Sequence, residues 1–299
     1  MKTMLVVWPR ADGEPRFKVG GLVRFAVLCL CLCLCLCFCL LFAMAALAQP
    51  RAIAGMAESK GPTLTTFDAP GAGSGPGQGT KAYGINVSGV IAGAYIDASN
   101  VSHGYVRAAD GVITNFDAPG AGTGAGQGTE GWSINTAGVE VGWYVDASNV
   151  NHGFLRTAKG KITTIDAAGA GTGANQGTFA YGVNAAGTIV GYYVDASTVN
   201  HGFVRSKEGT IATIDAPGAG SGAYEGTYAF GINATGVIAG SYVDTSGVLQ
   251  GFERVANGTI AAFDVSGQGT YGYGINGAGD VVGPSIDGYS AFHGYVWKP

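Results

Sequence analysis

The 299-residue chain has no cysteine beyond residue 39; its 6 Cys all lie between Cys29 and Cys39. A disulfide-stapled domain, a thiolate metal site and a cysteine nucleophile are therefore excluded from the rest of the chain. Charge is scarce as well, with 16 Lys+Arg and 20 Asp+Glu. Residues 49–299 hold 11 of the basic and 18 of the acidic side chains, a formal net charge of −7. So few cations leave no basic footprint for nucleic acid. No stretch after residue 48 shows a helical period. What is abundant is glycine, 53 residues, together with Val, Ile, Tyr and Phe. That mixture is too apolar, and too weakly charged, for a disordered chain.

The first 48 residues read as a targeting segment. Lys2, Arg10, Arg16, Lys18 and Arg24 outweigh Asp12 and Glu14, an apolar run extends from Phe25 to Ala48, and the run ends Ala46-Leu47-Ala48. Positive flank, apolar core and small-x-small end are the parts of a secretory signal. The run exceeds the usual core of about 7–15 residues and reaches the ~20 that span a bilayer. Residues 1–48 are expected to be a signal peptide cleaved after Ala48, with an uncleaved N-terminal anchor as the alternative. Residues 49–61 then form a linker, and residues 62–299 are exported as one domain, secreted or held in the periplasm or cell envelope. Membrane contact is expected only if the segment stays uncleaved.

That domain is built from a repeat. Asp68, Asp117, Asp166, Asp215 and Asp264 each follow Phe or Ile and lie 49 residues apart. Asn86, Asn135, Asn184, Asn233 and Asn276 mark a second recurring phrase, Gly-Ile/Val-Asn in most copies. His103, His152, His201, Gln250 and His293 mark a third, His-Gly-Tyr/Phe. The last interval of the second and third phrases shrinks to 43, through a shorter glycine-rich stretch after Asp264. Periods of this size mark stacked repeat architectures. Within a unit, four β-rich runs (82–87, 90–96, 103–107 and 112–117 in the first) are separated by Asn, Asp, Ser and Gly turns.

The pattern predicts an all-β fold of four-stranded antiparallel units, each needing neighbours to bury its faces. Residues 81–118, 130–167, 179–216 and 228–265 are complete units. Residues 271–299 supply three strands, and residues 62–68 supply one strand of the missing fourth kind. The ends are complementary, which predicts a five-bladed β-propeller closed by the N-terminal strand joining the C-terminal blade.

Several columns recur on the same beat. Tyr83, Trp132, Tyr181, Phe230 and Tyr273, and likewise Tyr105, Phe154, Phe203, Phe252 and Tyr295, read as inter-blade packing, each ring contributing about 1.5–3 kcal/mol. Gly93, Gly142, Gly191, Gly240 and Gly283 read as a bulge or a close backbone approach. The Asp68 column reads as an acceptor for turn N–H groups, with Arg107, Arg156, Arg205 and Arg254 as its partners. The Gly-Ala-Gly loops have no helix behind them and no Lys, so they are not phosphate cradles; flexible connections are expected. Asn86 and Asn233 head sequons that a turn role explains without any glycan.

Alternating strand direction puts the long loops, Gly71–Thr80 and Asp97–His103 with their copies, on one face, the candidate functional face. The candidate ligand contacts there are Asp97, His103, Asp146, His152, Asp195 and His201, with Trp143, Tyr224 and Glu225 as irregular positions. Each Asp–His pair reads as a hydrogen bond that fixes a hairpin rather than as a metal or catalytic pair, because Gln250 replaces one His. No metal, cofactor or catalytic residue is expected. Glu140, Glu225 and Glu253 are the irregular acids an exported hydrolase would need.

The order Gly-Ile-Asn-x-x-Gly-x-Ile-x-Gly-x-Tyr, then His-Gly-Phe with a basic residue, then Gly-x-Ile-x-x-Ile/Phe-Asp, resembles the bacterial extracellular HAF-repeat proteins over residues 62–299. This chain has His-Gly-Tyr or His-Gly-Phe where the family has His-Ala-Phe. The resemblance implies export and a repeat fold and transfers no catalytic residue. The expected function is a monomeric, non-enzymatic binding or surface-interaction module whose partner is a glycan or cell-surface ligand. An exported hydrolase with its site on the long-loop face or in the central channel, and a structural envelope protein, are the alternatives.

Overall fold

The computed structural model describes residues 62–299, so the signal segment and the whole linker, 49–61, lie outside the described residues. Nineteen strands and no helix fall within them. The first unit is β1 (Gly79–Ile85), β2 (Ile91–Ile96), β3 (Ser102–Arg107) and β4 (Ile113–Phe116). The second is β5 (Gly128–Ile134), β6 (Glu140–Val145), β7 (Asn151–Arg156) and β8 (Ile162–Ile165). The third is β9 (Gly177–Val183), β10 (Ile189–Val194), β11 (Asn200–Arg205) and β12 (Ile211–Ile214). The fourth is β13 (Gly226–Ile232), β14 (Ile238–Val243), β15 (Leu249–Arg254) and β16 (Ile260–Phe263). The fifth has β17 (Gly274–Ile275), β18 (Val281–Ile286) and β19 (Phe292–Trp297). Each complete unit is an antiparallel meander, as the turn spacing requires.

Three devices tie unit to unit. The first is a ladder of asparagines. Asn135 Oδ1 accepts the N–H groups of Ala137 and Val139, closing its own turn, while its Nδ2 donates to Asn184 O at 3.0 Å. Asn86, Asn184 and Asn233 repeat the donation to the next asparagine carbonyl. Asn135, Asn184 and Asn233 are buried, so losing one strands a carbonyl and several N–H groups. The second device is threonine: Thr129, Thr178 and Thr227, all fully buried, accept the N–H of Ala118, Ala167 and Ala216 from the preceding unit. The third is a single parallel bridge, such as Ser102 with Gly128, that joins neighbours and makes the first sixteen strands one sheet. Gly128 has φ +110°, and a side chain there would run into Ser102 O, so only glycine fits.

Between units the core follows the repeat. Tyr105, Phe154, Phe203 and Phe252 are wholly buried, as the sequence predicts. Phe67 meets Tyr105 edge-on at 6.1 Å, Phe116 meets Phe154 at 5.8 Å, and Phe263 meets Tyr295 at 5.9 Å. Arg107 and Arg156 lie over the Phe67 and Phe116 rings. The arginines therefore partner the aromatic end of the preceding unit, not the Asp column. Delocalised guanidinium charge over a ring face is favourable where few carboxylates are in reach.

The predicted ring closure is not found. Residues 62–68 form no strand, and β17–β19 stand as a separate three-stranded sheet whose last strand has no partner on its outer side among the described residues. Phe67 and Ala69 do take the place of a unit's end beside the first unit, where Ala69 N donates to Thr80 Oγ1 at 2.8 Å. The pairing with β19 is what is missing. The asparagine ladder ends accordingly: Asn276 turns its Nδ2 back to Asp280 instead of reaching Asn86. Val282 is 44 % exposed where Val190 is fully buried, and Ile85 is 68 % exposed where Ile134 is buried. Pro284 contributes to the weak fifth unit, because it has no N–H to return the bond it accepts from Tyr271.

The glycine-rich loops are also more ordered than expected. Gln78 Oε1 accepts Gly75 N at 2.8 Å, and its Nε2 donates to Ala98 O and Asn100 Oδ1, clamping loop to hairpin. Gln127 repeats all three bonds. Composition signals flexibility; a single glutamine clamps each of the first three loops against it.

Candidate binding cavity

The first strand of each of the first four units carries its aromatic at a β-bulge. Pairing with the second strand skips Tyr83, Trp132, Tyr181 and Phe230, so each is the extra residue. A bulge re-aims the side chain it holds. The glycine opposite makes this possible: at Gly93, Gly142, Gly191 and Gly240 a Cβ would collide with the first-strand carbonyl, as Gly191 would with Phe179 O. The sequence reading of these glycines as bulge or close approach holds on both counts.

The re-aimed rings meet one another around an axis. Tyr83 stacks on Trp132 at 4.1 Å, and Trp132, Tyr181, Phe230 and Tyr273 follow at 5.0–5.2 Å between centroids. The column expected to fill the inter-unit core instead lines cavities. One, of about 500 Å³, is walled by Trp132, Tyr181, Tyr192, Tyr228, Phe230 and Tyr273. A second, of about 220 Å³, shares four of these rings and adds Tyr83 and the glycines after them. Rings from all five units thus surround one space. Trp143, singled out from the sequence, is buried behind the wall and stacks on Tyr181 at 5.1 Å.

The electrostatics of the wall are those of neutral hydroxyls. Burial pushes the Tyr181 and Tyr228 phenols up to about 12, and Tyr192 well above its ordinary value. Tyr83, about one-third exposed, also rises to about 12, from burial and the nearby Glu130 carboxylate. These groups donate and accept hydrogen bonds without ionising at ordinary pH. Glu130 lies across the strand pair from Trp143; burial raises its carboxyl, with Lys81 and the Ser102 hydroxyl opposing.

The Asp–His positions are brought together differently from the expectation. His103 Nδ1 bonds Asp117 Oδ1 at 2.9 Å, while Asp97 Oδ2 stays 3.6 Å from Nε2. His152 and His201 repeat this with Asp166 and Asp215, and with Asp146 and Asp195 farther off. Each imidazole also stacks on a tyrosine, as His103 does on Tyr95. The Asp117 column thus holds imidazole rather than turn N–H groups; only Asp264, opposite Gln250, accepts Ser266 N and Gly267 N. Asp97 Oδ1 closes its own turn by accepting Val101 N and Ser99 N, bonds that hold its carboxyl below the usual range. No group of three or more metal-ligating side chains occurs among the described residues. These are clamps of hairpin to neighbouring strand.

The irregular acids are also accounted for. Glu140 and Glu253 are buried within unit junctions and line none of the cavities described. Glu225 replaces the clamping glutamine and keeps one bond, from Gly222 N. Tyr224 stands 75 % exposed beside it.

No family model and no curated protein sequence matches the chain. Among solved structures, a virginiamycin B lyase from Staphylococcus aureus is similar at 14 % identity and TM-score 0.37, over 72 % of this chain and 83 % of that one. A catalytically inactive form of that lyase with quinupristin gives 17 % identity and TM-score 0.35, over 75 % and 87 %. A mutant of the Aleuria aurantia lectin in complex with alpha-methyl-L-fucoside gives 11 % identity and TM-score 0.31, over 73 % and 91 %. At these scores the likenesses bear on neither mechanism nor ligand.

Proposed function

We propose that the chain is an exported, non-enzymatic binding module of the HAF-repeat kind, and that it seats a carbohydrate in the axial aromatic cavity. The observation that carries this is the wall itself: six aromatic side chains from units two to five, four of them tyrosines, around about 500 Å³. Sugar rings present flat C–H faces that rest on aromatic rings, and hydroxyls at their rims that pair with phenols. Tyrosine hydroxyls, neutral at ordinary pH, suit an uncharged ligand. In the Asp–His pairs, the other chemistry on the long-loop face, each imidazole Nδ1 is already bonded to a carboxylate of its own unit.

Tyr181 is the test position because its ring touches Trp132, Trp143, Tyr192 and Phe230. Tyr181→Ala is expected to weaken saccharide binding by about 1–2 kcal/mol, roughly tenfold. Titration calorimetry on folded protein checks it. A Tyr181→Ala variant with native circular dichroism and unchanged affinity would sink the assignment of the ligand to this cavity.

A further inference from the structure

The axial cavity has a neighbour behind its tyrosine wall. Tyr192 and Tyr228 are shared with a further chamber of about 270 Å³, bounded on the long-loop side by Asn175, Gln176, Thr198 and Tyr224. The two loop positions that close this chamber are the equivalents of Gly77 and Gly126 in the first two units. There the loop carries no side chain; in units three and four it carries Asn175 and Tyr224. All four positions have left-handed backbone, with φ of +80° for the two glycines, +65° for Asn175 and +66° for Tyr224. Glycine is at ease in that region and asparagine tolerates it, but a bulky aromatic is strained.

Tyr224 nevertheless stays there, held by its N–H on Thr198 O at 2.8 Å and by Tyr228 Oη donating to its carbonyl at 3.3 Å. Its own ring, 75 % exposed, stacks on no other ring among the described residues. A strained residue whose side chain buries little adds nothing evident to folding, and such outliers gather where ligands bind.

We infer that the cavity and the chamber form one elongated site for a linear oligosaccharide, with Tyr224 as the platform on which the outermost sugar stacks. The inference rests on the reading of the axial cavity as a sugar site and adds direction and length to it. The inner sugars lie on the rings of Tyr181 and Phe230. The chain passes Tyr192 and Tyr228, where the two spaces meet, and leaves past Asn175 and Tyr224. Tyr224 is therefore a specificity-determining residue that selects for ligand length.

The test uses the full-length chain and the fluorescence of Trp132 in the cavity wall and Trp143 behind it, with cello- and chito-oligosaccharides of one to six units as probes. The wild type is expected to bind the longer chains about tenfold more tightly than the dimers. Tyr224→Gly restores the residue type of the first two units and relieves strain, so its thermal midpoint should equal or exceed the wild-type value. It should bind dimers as the wild type does and lose the gain with length. Retention of that gain in Tyr224→Gly, or its absence in the wild type, overturns the inference while leaving the axial site standing if Tyr181→Ala still weakens binding about tenfold. No binding of either series at any length overturns both.

Discussion

At position 140 the second unit carries a carboxylate where the first, third and fourth carry Ile91, Ile189 and Ile238. Glu140 is fully buried, and neither carboxylate oxygen has a hydrogen-bond partner. Arg156 stands 3.8 Å away, a contact that on its own would lower the carboxyl. Burial wins, because the pair makes no hydrogen bond, and the carboxyl rises to about 8 with Arg156 only opposing. The folded state therefore binds the Glu140 proton more tightly than the unfolded chain does. Stability from this group is fully present below its ordinary value of 4.5 and is lost as pH climbs towards 8. Glu140→Ile should raise stability at neutral pH by roughly 1–4 kcal/mol. It should also flatten the fall of the thermal midpoint between those limits. Arg205 and Arg254 already face Ile189 and Ile238 across the same strand pairs, so Arg156 has a precedent for tolerating the change. Thermal melts across pH 4 to 9 decide it; an unchanged slope would contradict the assignment. The residue scale was partly legible in the sequence. Glu140 stood out as an irregular acid, but its column did not reveal whether that acid faced a site or a core.

At the scale of the element, the sequence foretold four strands per unit, their turns and the buried Tyr105 column, because each rests on local chemistry: alternation, Asn-x-x-Gly turns and glycine loops. It did not foretell where the Tyr83 column points. One skipped residue in the first strand turns a ring from the packing face to the axis, and period-two reasoning has no term for a bulge. The signal that could have found it was the glycine opposite, read as a close approach but not connected to the aromatic across the ladder. Gly191→Ala puts this to the test. Its Cβ would collide with Phe179 O and press on the Phe203 ring, so the bulge holding Tyr181 has to move. Overpacking of this kind costs about 1–3 kcal/mol. The same shift should weaken ligand binding, because Tyr181 leaves its place against Trp143. A variant that loses stability yet binds fully would show that the ring's aim does not depend on the bulge.

For the whole molecule, repetition made the unit legible and left the closure open. The complementary ends pointed to a sealed ring, and the aromatic rings of all five units do surround one axis. Hydrogen bonding stops short of that. Phe67 and Ala69 sit against the first unit, yet β19 keeps a free edge among the described residues, and Phe292 faces solvent where its counterparts Ser102, Asn151 and Asn200 are buried. A local repeat specifies each junction equally; it cannot specify whether a single strand of residues 62–66 outweighs the entropy of ordering it. Unpaired edge strands open readily and exchange their amide hydrogens fast. Amides of Phe292–Trp297 that bond only outward should therefore exchange far faster than their equivalents in β11, where β12 covers that edge. Hydrogen exchange resolved by peptide measures the difference directly. Equal protection in β19 and β11 would mean that the edge is occupied, and residues 62–66 would then have to be protected with it. Free exchange in both segments would fix the molecule as an arc with one exposed end. In that case the exposed β19 edge and the apolar side chains beside it should draw copies together as concentration rises, a tendency that sedimentation would register.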